Sequence, residues 1–366
     1  MTSFKAELVS EGNTDILVYK NKDSKKGPGT KKGVPFYNPS MELNRDLSII
    51  FCQWMINNSK KKLRFLDGLG ASGIRGIRLA KELKGDFETI INDWDKEAFK
   101  LIEKNIEKNK PKDVIAENKN LNTLLSEEKF DYIDVDPFGS PAGFIDSAMR
   151  SIKHGGIIAC TATDTATLCG VYPKVCLRRY NAMPFHSVVM KEIGLRILVG
   201  FLCKHAGVYD KGIEPIVCYS TDHYFRMYIR VWNGVNRANQ SVGNLGLIKK
   251  GEKTGFETTD KDVGPLWKGK LQNKRALQEL ISILFKTSLN TKNMLWKLLD
   301  LLEEESDSPC FFYTMDSLAS YLKKSPPKTK KIFEQLSKQG FEVSRTHFNP
   351  MGFKTNASID NIKKLF

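Results

Sequence analysis

Short apolar runs and amphipathic stretches alternate along most of the chain. Asn38-Pro39 is a helix-start signal, with Asn as N-cap and Pro in the first turn, and it predicts a helix over residues 40–56. Residues 64–69 read as a strand, followed by a helix to residue 80. A second strand over 88–92, a helix over 96–108 and a short third strand over 114–116 come next. Residues 131–135 and 156–161 make a fourth and a fifth strand, all short and apolar, as buried parallel strands are. Repeated strand–helix alternation predicts a doubly wound parallel sheet. After a long helix over 187–205, residues 215–219 and 224–232 are split by a short turn and should pair as an antiparallel hairpin. Residues 20–33 are Lys- and Gly-rich without periodicity and are expected to be a mobile loop. Residues 234–262 are polar and aperiodic and are expected to be a linker. A smaller, mainly helical α+β region follows, with a helix–turn–helix-like stretch over 314–339 broken at Pro326-Pro327.

Length and composition fit this layout. At 366 residues the chain suits two domains, on a prior of ~150 residues each. The division predicted is 1–233, a linker over 234–262, and 263–366. An apolar content of 41% and a charged content of 27% are those of a globular protein. The longest apolar run, 197–203, falls far short of the ~20 residues of a membrane helix. Residues 1–20 lack an apolar signal core and carry Glu7, Glu11 and Asp15, so a cytoplasmic location without membrane contact is expected. The formal charge of +15 points to a phosphate polyanion as partner. None of the seven cysteines forms a C-x-x-C pair, and the five histidines are scattered, so no metal is expected.

Two strand ends carry the chemistry. Gly68, Gly70 and Gly73 spell G-x-G-x-x-G between a strand and a helix, and Asp93 ends the following strand. Such a loop cradles a nucleotide, and the acid accepts hydrogen bonds from ribose hydroxyls. The pattern does not by itself separate NAD from S-adenosylmethionine. Asp67, just before the glycines, places a carboxylate where the amino acid of the sulfonium cofactor would lie. Asp136-Pro137-Phe138 closes the fourth strand beside this site. An aromatic amine is a poor nucleophile because its lone pair is delocalised into the ring. The Asp136 carboxylate and the Pro137 carbonyl, accepting its N–H groups, would turn the lone pair towards a methyl donor while Phe138 stacks on the base. Asp136 can also take the departing proton.

Together these segments closely resemble the tRNA (guanine-26-N2)-dimethyltransferase family of archaea and eukaryotes. The resemblance rests on Phe36-Tyr37-Asn38-Pro39, Asn44-Arg45-Asp46, Ala71-Ser72-Gly73-Ile74-Arg75-Gly76 and Asp136-Pro137-Phe138-Gly139-Ser140-Pro141. It continues through Thr161-Ala162-Thr163-Asp164-Thr165-Ala166, Leu168-Cys169-Gly170, Thr221-Asp222-His223-Tyr224, Gly264-Pro265-Leu266-Trp267 and Lys354-Thr355-Asn356. It implies a class I methyltransferase (Rossmann-like) fold, S-adenosylmethionine as cofactor and tRNA as partner, held by a basic surface of the C-terminal region. Asp136 would bind N2 of the guanine, and Phe36 and Phe138 would sandwich the base. Arg45 and Arg75 would face the methionine end of the cofactor and Asp93 its ribose. Asn120-Leu121, where relatives tend to show Asp-Ala, would meet adenine. Some relatives carry a cysteine cluster resembling a zinc site between the domains; residues 234–262 contain no cysteine. From the residues alone, Arg75 also reads as a surface arginine and His223 as a structural hydrogen-bonder. An amino-methyltransferase acting on adenine or cytosine, an NAD-dependent oxidoreductase and a non-catalytic RNA-binding protein stay open as alternatives.

Overall fold

The computed structural model describes residues 6–19, 37–221, 223–255 and 257–366. The basic stretch 20–33 and Phe36 lie outside the described residues. An N-terminal hairpin, β1 (Ala6–Glu11) and β2 (Thr14–Tyr19), precedes α1 (Glu42–Asn57). Then β3 (Leu63–Asp67), α2 (Ile74–Glu82), β4 (Phe87–Asn92), α3 (Lys96–Asn109), β5 (Val114–Glu117), α4 (Leu121–Glu127), β6 (Phe130–Val135), α5 (Ala142–Ser151) and β7 (Ile152–Ala162) alternate. The short α6 (Thr165–Leu168) and α7 (Pro173–Tyr180) and the long α8 (Met190–Gly207) lead into the hairpin β8 (Lys211–Ser220) and β9 (Phe225–Asn233). The expected helix start holds: the Asn38 side chain caps Ser40 N–H, and one 3-10 turn runs into α1.

Seven strands form one sheet in the order β5-β4-β3-β6-β7-β9-β8. The first five are parallel, and β9 runs antiparallel to both β7 and β8. This is the doubly wound class I methyltransferase layout with a terminal antiparallel hairpin. Chain order reverses between β3 and β6, so the carboxyl ends of these two strands flank the crevice where open α/β sheets bind ligands. Strands β6 and β7 are almost wholly buried because helices cover both faces of the sheet.

One element had no counterpart in the sequence pattern, and one expectation needs correction. The segment at 1–20 holds a hairpin whose alternation places Ile16 and Val18 against Ile74, Ile77 and Ile102. Residues 234–262 are not structureless. They contain α9 (Val235–Val242), β10 (Leu245–Ile248), β11 (Lys253–Thr254) and β12 (Glu257–Thr258), and β10 pairs with β13 (Val263–Trp267). Helix α9 docks on β8, where Ser241 Oγ accepts from Ile213 N–H at 2.9 Å and donates to Ile213 O at 3.2 Å. It buries Ala238 and Ser241, small residues that leave no apolar period to read.

The remaining chain forms α10 (Lys274–Phe285), α11 (Lys292–Glu304), β14 (Tyr313–Thr314), α12 (Met315–Leu322), α13 (Thr329–Lys338), β15 (Val343–Arg345), β16 (Gly352–Thr355) and α14 (Ile359–Lys363). Leu277, Leu280, Leu295 and Leu299 of α10 and α11 share a core with Phe51 and Met55 of α1. A separate small core gathers Met315, Leu318, Ile332, Leu336, Phe353 and Ile362.

A buried ion cluster ties this last unit to the sheet domain. Glu192 of α8 accepts from Arg196 Nε (2.9 Å), Lys354 Nζ (3.0 Å) and Phe311 N–H (3.0 Å). Burial would raise the Glu192 carboxyl, yet the charges of Lys354 and Arg196 outweigh it and hold the group at about 2. Glu305 accepts from Thr346 Oγ1 at 2.5 Å and pairs with His347, whose Nε2 accepts from Ser220 N–H at 3.1 Å. Lys354, from the Lys354-Thr355-Asn356 match, therefore supplies a cation buried between Glu192 and Glu305. Lys354→Met should lower stability by about 3–5 kcal/mol, because it leaves buried carboxylates short of a partner. Urea unfolding checks this; a midpoint equal to that of the wild type would rule it out.

Candidate active site

The loop after β3 shows why glycines stand where they do. A Cβ on Gly68 would come within 2.9 Å of Asp134 O and of Leu121 Cδ1, so a side chain there cannot fit between β6 and α4. Gly73 has φ +79°, in the left-handed region, and starts α2. At Gly68 glycine serves the close packing of the loop on the end of β6, and at Gly73 it serves the left-handed backbone. Ala71 also lies in the left-handed region at φ 49°, and its N–H donates to Asp93 Oδ2 at 2.8 Å. The second Asp93 oxygen accepts from Asp95 N–H at 3.0 Å. Burial pushes the Asp93 carboxyl above the usual range. Trp94, the next residue, is 68% exposed. The sequence reading missed it, although an aromatic directly after the strand-end acid was the available signal.

At the end of β6 a charged cluster is assembled. Asp134 is fully buried and accepts from Arg226 Nη1 (2.9 Å) and Nη2 (2.6 Å) and from Tyr132 OH (2.6 Å). Burial would raise its carboxyl, but the charges of Arg226 and Arg75 hold it below the usual range. Arg75 of α2 donates Nη1 to Asn44 Oδ1 (2.9 Å) and Ser48 Oγ (2.7 Å), and Nη2 to Asp136 Oδ2. Ser48 and Thr161 also accept from Arg226. One oxygen of Asp136 is thus fixed by a guanidinium. Phe138, two residues on, is 48% exposed. Arg226 was not anticipated; a charged residue inside the apolar strand 224–232 was the signal for it.

Asp67, Gly68, Gly70, Asp93, Asp134 and Asp136 all stand on the carboxyl ends of neighbouring strands or in the loop between them. Arg75 is buried, so the surface reading of it is set aside. Arg45 gives Nε and Nη2 to Glu11 at 2.6 and 2.5 Å, and Nη2 also to Asn38 O at 3.1 Å. Asn120 caps α4 through Asn122 N–H at 2.9 Å, while Leu121 is buried beneath Gly68. His223 donates its backbone N–H to Thr221 Oγ1 at 3.3 Å. Asp164 accepts from Tyr180 OH (2.7 Å) and Arg179 (3.0 Å). Among the described residues, no group of three or more His, Cys, Asp or Glu is placed to hold a metal ion. No helix there is long and apolar enough to cross a membrane.

Carboxylates at two adjacent strand ends, with an exposed indole beside one of them, suit the ammonium, ribose diol and adenine of S-adenosylmethionine. Strand order, glycine loop and the Asp-Pro-Phe strand end define a class I methyltransferase acting on an amine. The sequence model of the N2,N2-dimethylguanosine tRNA methyltransferases matches residues 13–366, and the chain belongs to that family. It is similar to the tRNA (guanine(26)-N(2))-dimethyltransferase of Methanobrevibacter smithii, at 36% identity over 100% of this chain and 98% of that protein. The enzyme of the same name from Pyrococcus furiosus is 39% identical over 96% of each chain. A solved complex of Trm1 from Pyrococcus horikoshii with S-adenosyl-L-methionine superposes with a TM-score of 0.87 at 34% identity, covering 98% of this chain and 99% of that one.

Burial pushes the Asp67 carboxyl up to about 7, with Arg75 pulling against it and Asp134 adding to it. The folded chain therefore keeps this proton in a range where the unfolded chain has released it. The stability it contributes is full at acid pH and is lost as pH rises to about 7. Asp67→Asn should flatten the stability–pH curve of the cofactor-free protein between about pH 4 and 7. Equal slopes in the two proteins, from urea unfolding across that range, would contradict this.

Proposed function

We infer that this chain is a tRNA methyltransferase that transfers one and then a second methyl group from S-adenosylmethionine to N2 of guanine 26. The observation that carries this is Asp136, clamped by Arg75 at the end of β6, with Phe138 half exposed beside it. The alternatives named from sequence give way to the family membership. The sulfonium cofactor supplies an electrophilic methyl. Asp93 faces its ribose hydroxyls and Asp67 its amino group. Arg45, Arg75, Gly68 and Gly70 line its methionine end, and Asn120 and Leu121 border the adenine.

The work of the protein is orientation. The guanine leaves its stack and enters the pocket, since its N2 cannot be reached inside a helical arm. Asp136 Oδ1 and the Pro137 carbonyl accept the N2 hydrogens, which turns the nitrogen lone pair out of conjugation and towards the methyl. The rings of Phe138 and Phe36 hold the base plane. Asp136 then accepts the proton released on transfer. After the first round one N–H remains; once Asp136 has released its proton to solvent and a fresh cofactor has replaced the spent one, the same carboxylate serves the second. The C-terminal region, with Lys323, Lys324, Lys328, Lys330 and Lys331 exposed, meets tRNA phosphates. Such an enzyme works where tRNA matures, in the cytoplasm.

Asp136→Ala should keep cofactor affinity and lower kcat by about 10²–10⁴-fold. Calorimetric titration and single-turnover methylation separate the two, and an unchanged kcat would sink the assigned role. Transfer of radiolabel should vanish with tRNA whose guanine 26 is replaced. Full labelling of that tRNA, with nucleoside mass spectrometry finding methyl groups elsewhere, would refute the acceptor.

A further inference from the structure

The Thr163-Asp164 match, without a chemical role so far, folds into one body with the catalytic loop. Gly139 N–H donates to Thr163 Oγ1 at 2.7 Å, and Thr163 N–H donates to Gly139 O at 2.9 Å. Tyr180 OH donates to Asp164 Oδ1 at 2.7 Å and lies 2.7 Å from Ser140 Oγ. The segment from α6 to α7 is thereby fastened at both ends to the loop that carries Phe138.

Its outward side has a distinct character. Helix α7 buries Cys176 and Tyr180. Lys174, Leu177 and Arg178, at i, i+3 and i+4, share the opposite, exposed face. Immediately before the helix, Val171 and Tyr172 are 51% and 56% exposed. From residue 165 to 191 there is no Asp or Glu. Asp164, at the start of the segment, is taken by Tyr180 and Arg179. Neither Lys174 nor Arg178 has an acidic partner among the described residues. Uncompensated cations beside an exposed phenol suit a partner with an anionic backbone and flat stacking faces, which is RNA.

We propose that residues 171–178 form the RNA-contacting rim of the active site. Lys174 and Arg178 meet phosphates flanking the target guanine, and Tyr172 packs on the sugar or base next to the gap the guanine leaves. This rests on the reading of the chain as a tRNA methyltransferase and adds to it the place where the tRNA is held next to the chemistry.

The test compares Lys174→Glu/Arg178→Glu and Tyr172→Ala with the wild type. The double variant should raise KM for tRNA by about tenfold or more and reduce the salt slope of tRNA binding by about one to two. Cofactor affinity and Tm should stay as they were. Wild-type KM and slope with methylation intact would overturn the rim and leave the methyltransferase reading standing. Hydrogen exchange of the wild-type protein decides independently of whether the variants fold. Amides of 171–178 should exchange more slowly with tRNA bound, and unchanged exchange would overturn the proposal. A concentration-dependent dimer that Tyr172→Ala dissolves would assign the surface to a second copy of the chain and likewise overturn it.

Discussion

A guanidinium shared between the buried Asp134 and the partly exposed Asp136 is the constraint on which the catalytic edge depends. Arg75 contacts Asp136 and lies 3.4 Å from Asp134, while Arg226 grips Asp134 from the other side. An uncompensated charge at the fully buried Asp134 would be costly, so the two arginines cannot be exchanged for neutral residues without loss. Because Arg75 belongs to α2, which begins at Gly73, the cofactor loop and the catalytic strand end move together. The cluster also counts three carboxylates (Asp67, Asp134 and Asp136) against two arginines. Burial first, and then the neighbouring Asp134 and Asp136 charges, raise the Asp67 carboxyl against the pull of Arg75, so a protonated Asp67 leaves the remaining two carboxylates matched by the two arginines.

Much of this was legible in advance. Strands β3, β4 and β6 are short and largely apolar because both faces of the sheet are covered, and the glycine and Asp-Pro-Phe motifs follow β3 and β6. The hairpin at the N-terminus was hidden because half its residues point outward, and its one buried carboxylate, Glu11, reads as an ordinary surface acid. It in fact accepts from Arg45, Arg78 and Tyr37, and the two arginines hold its carboxyl at about 2 against the opposing effect of burial. Helix α9 was hidden for the opposite reason, a polar helix that docks through one serine and one alanine. Arg226 illustrates the hardest class. A single sequence shows a charge within a strand but not the Asp134 that explains it, 92 residues away.

The C-terminal region is joined to the catalytic sheet in two ways that differ in kind. Helices α10 and α11 share apolar core with α1, while the small sheet of β14, β15 and β16 is attached through the cluster of Glu192, Lys354, Glu305 and His347. The second connection ends at Ser220, the last residue of β8 and the start of the turn into β9. Whatever RNA surface this unit presents is therefore held in fixed register with the catalytic edge.

The partnership of α1 with α10 and α11 has a consequence for biosynthesis. The face of α1 that packs on α10 and α11 leaves the ribosome early, and the helices that cover it follow more than two hundred residues later, from Lys274 onward. At about 5–20 residues per second that interval lasts roughly 10–40 s. Through it the nascent chain displays an oily helix surface with no native cover, a period in which holdase chaperones have reason to attend.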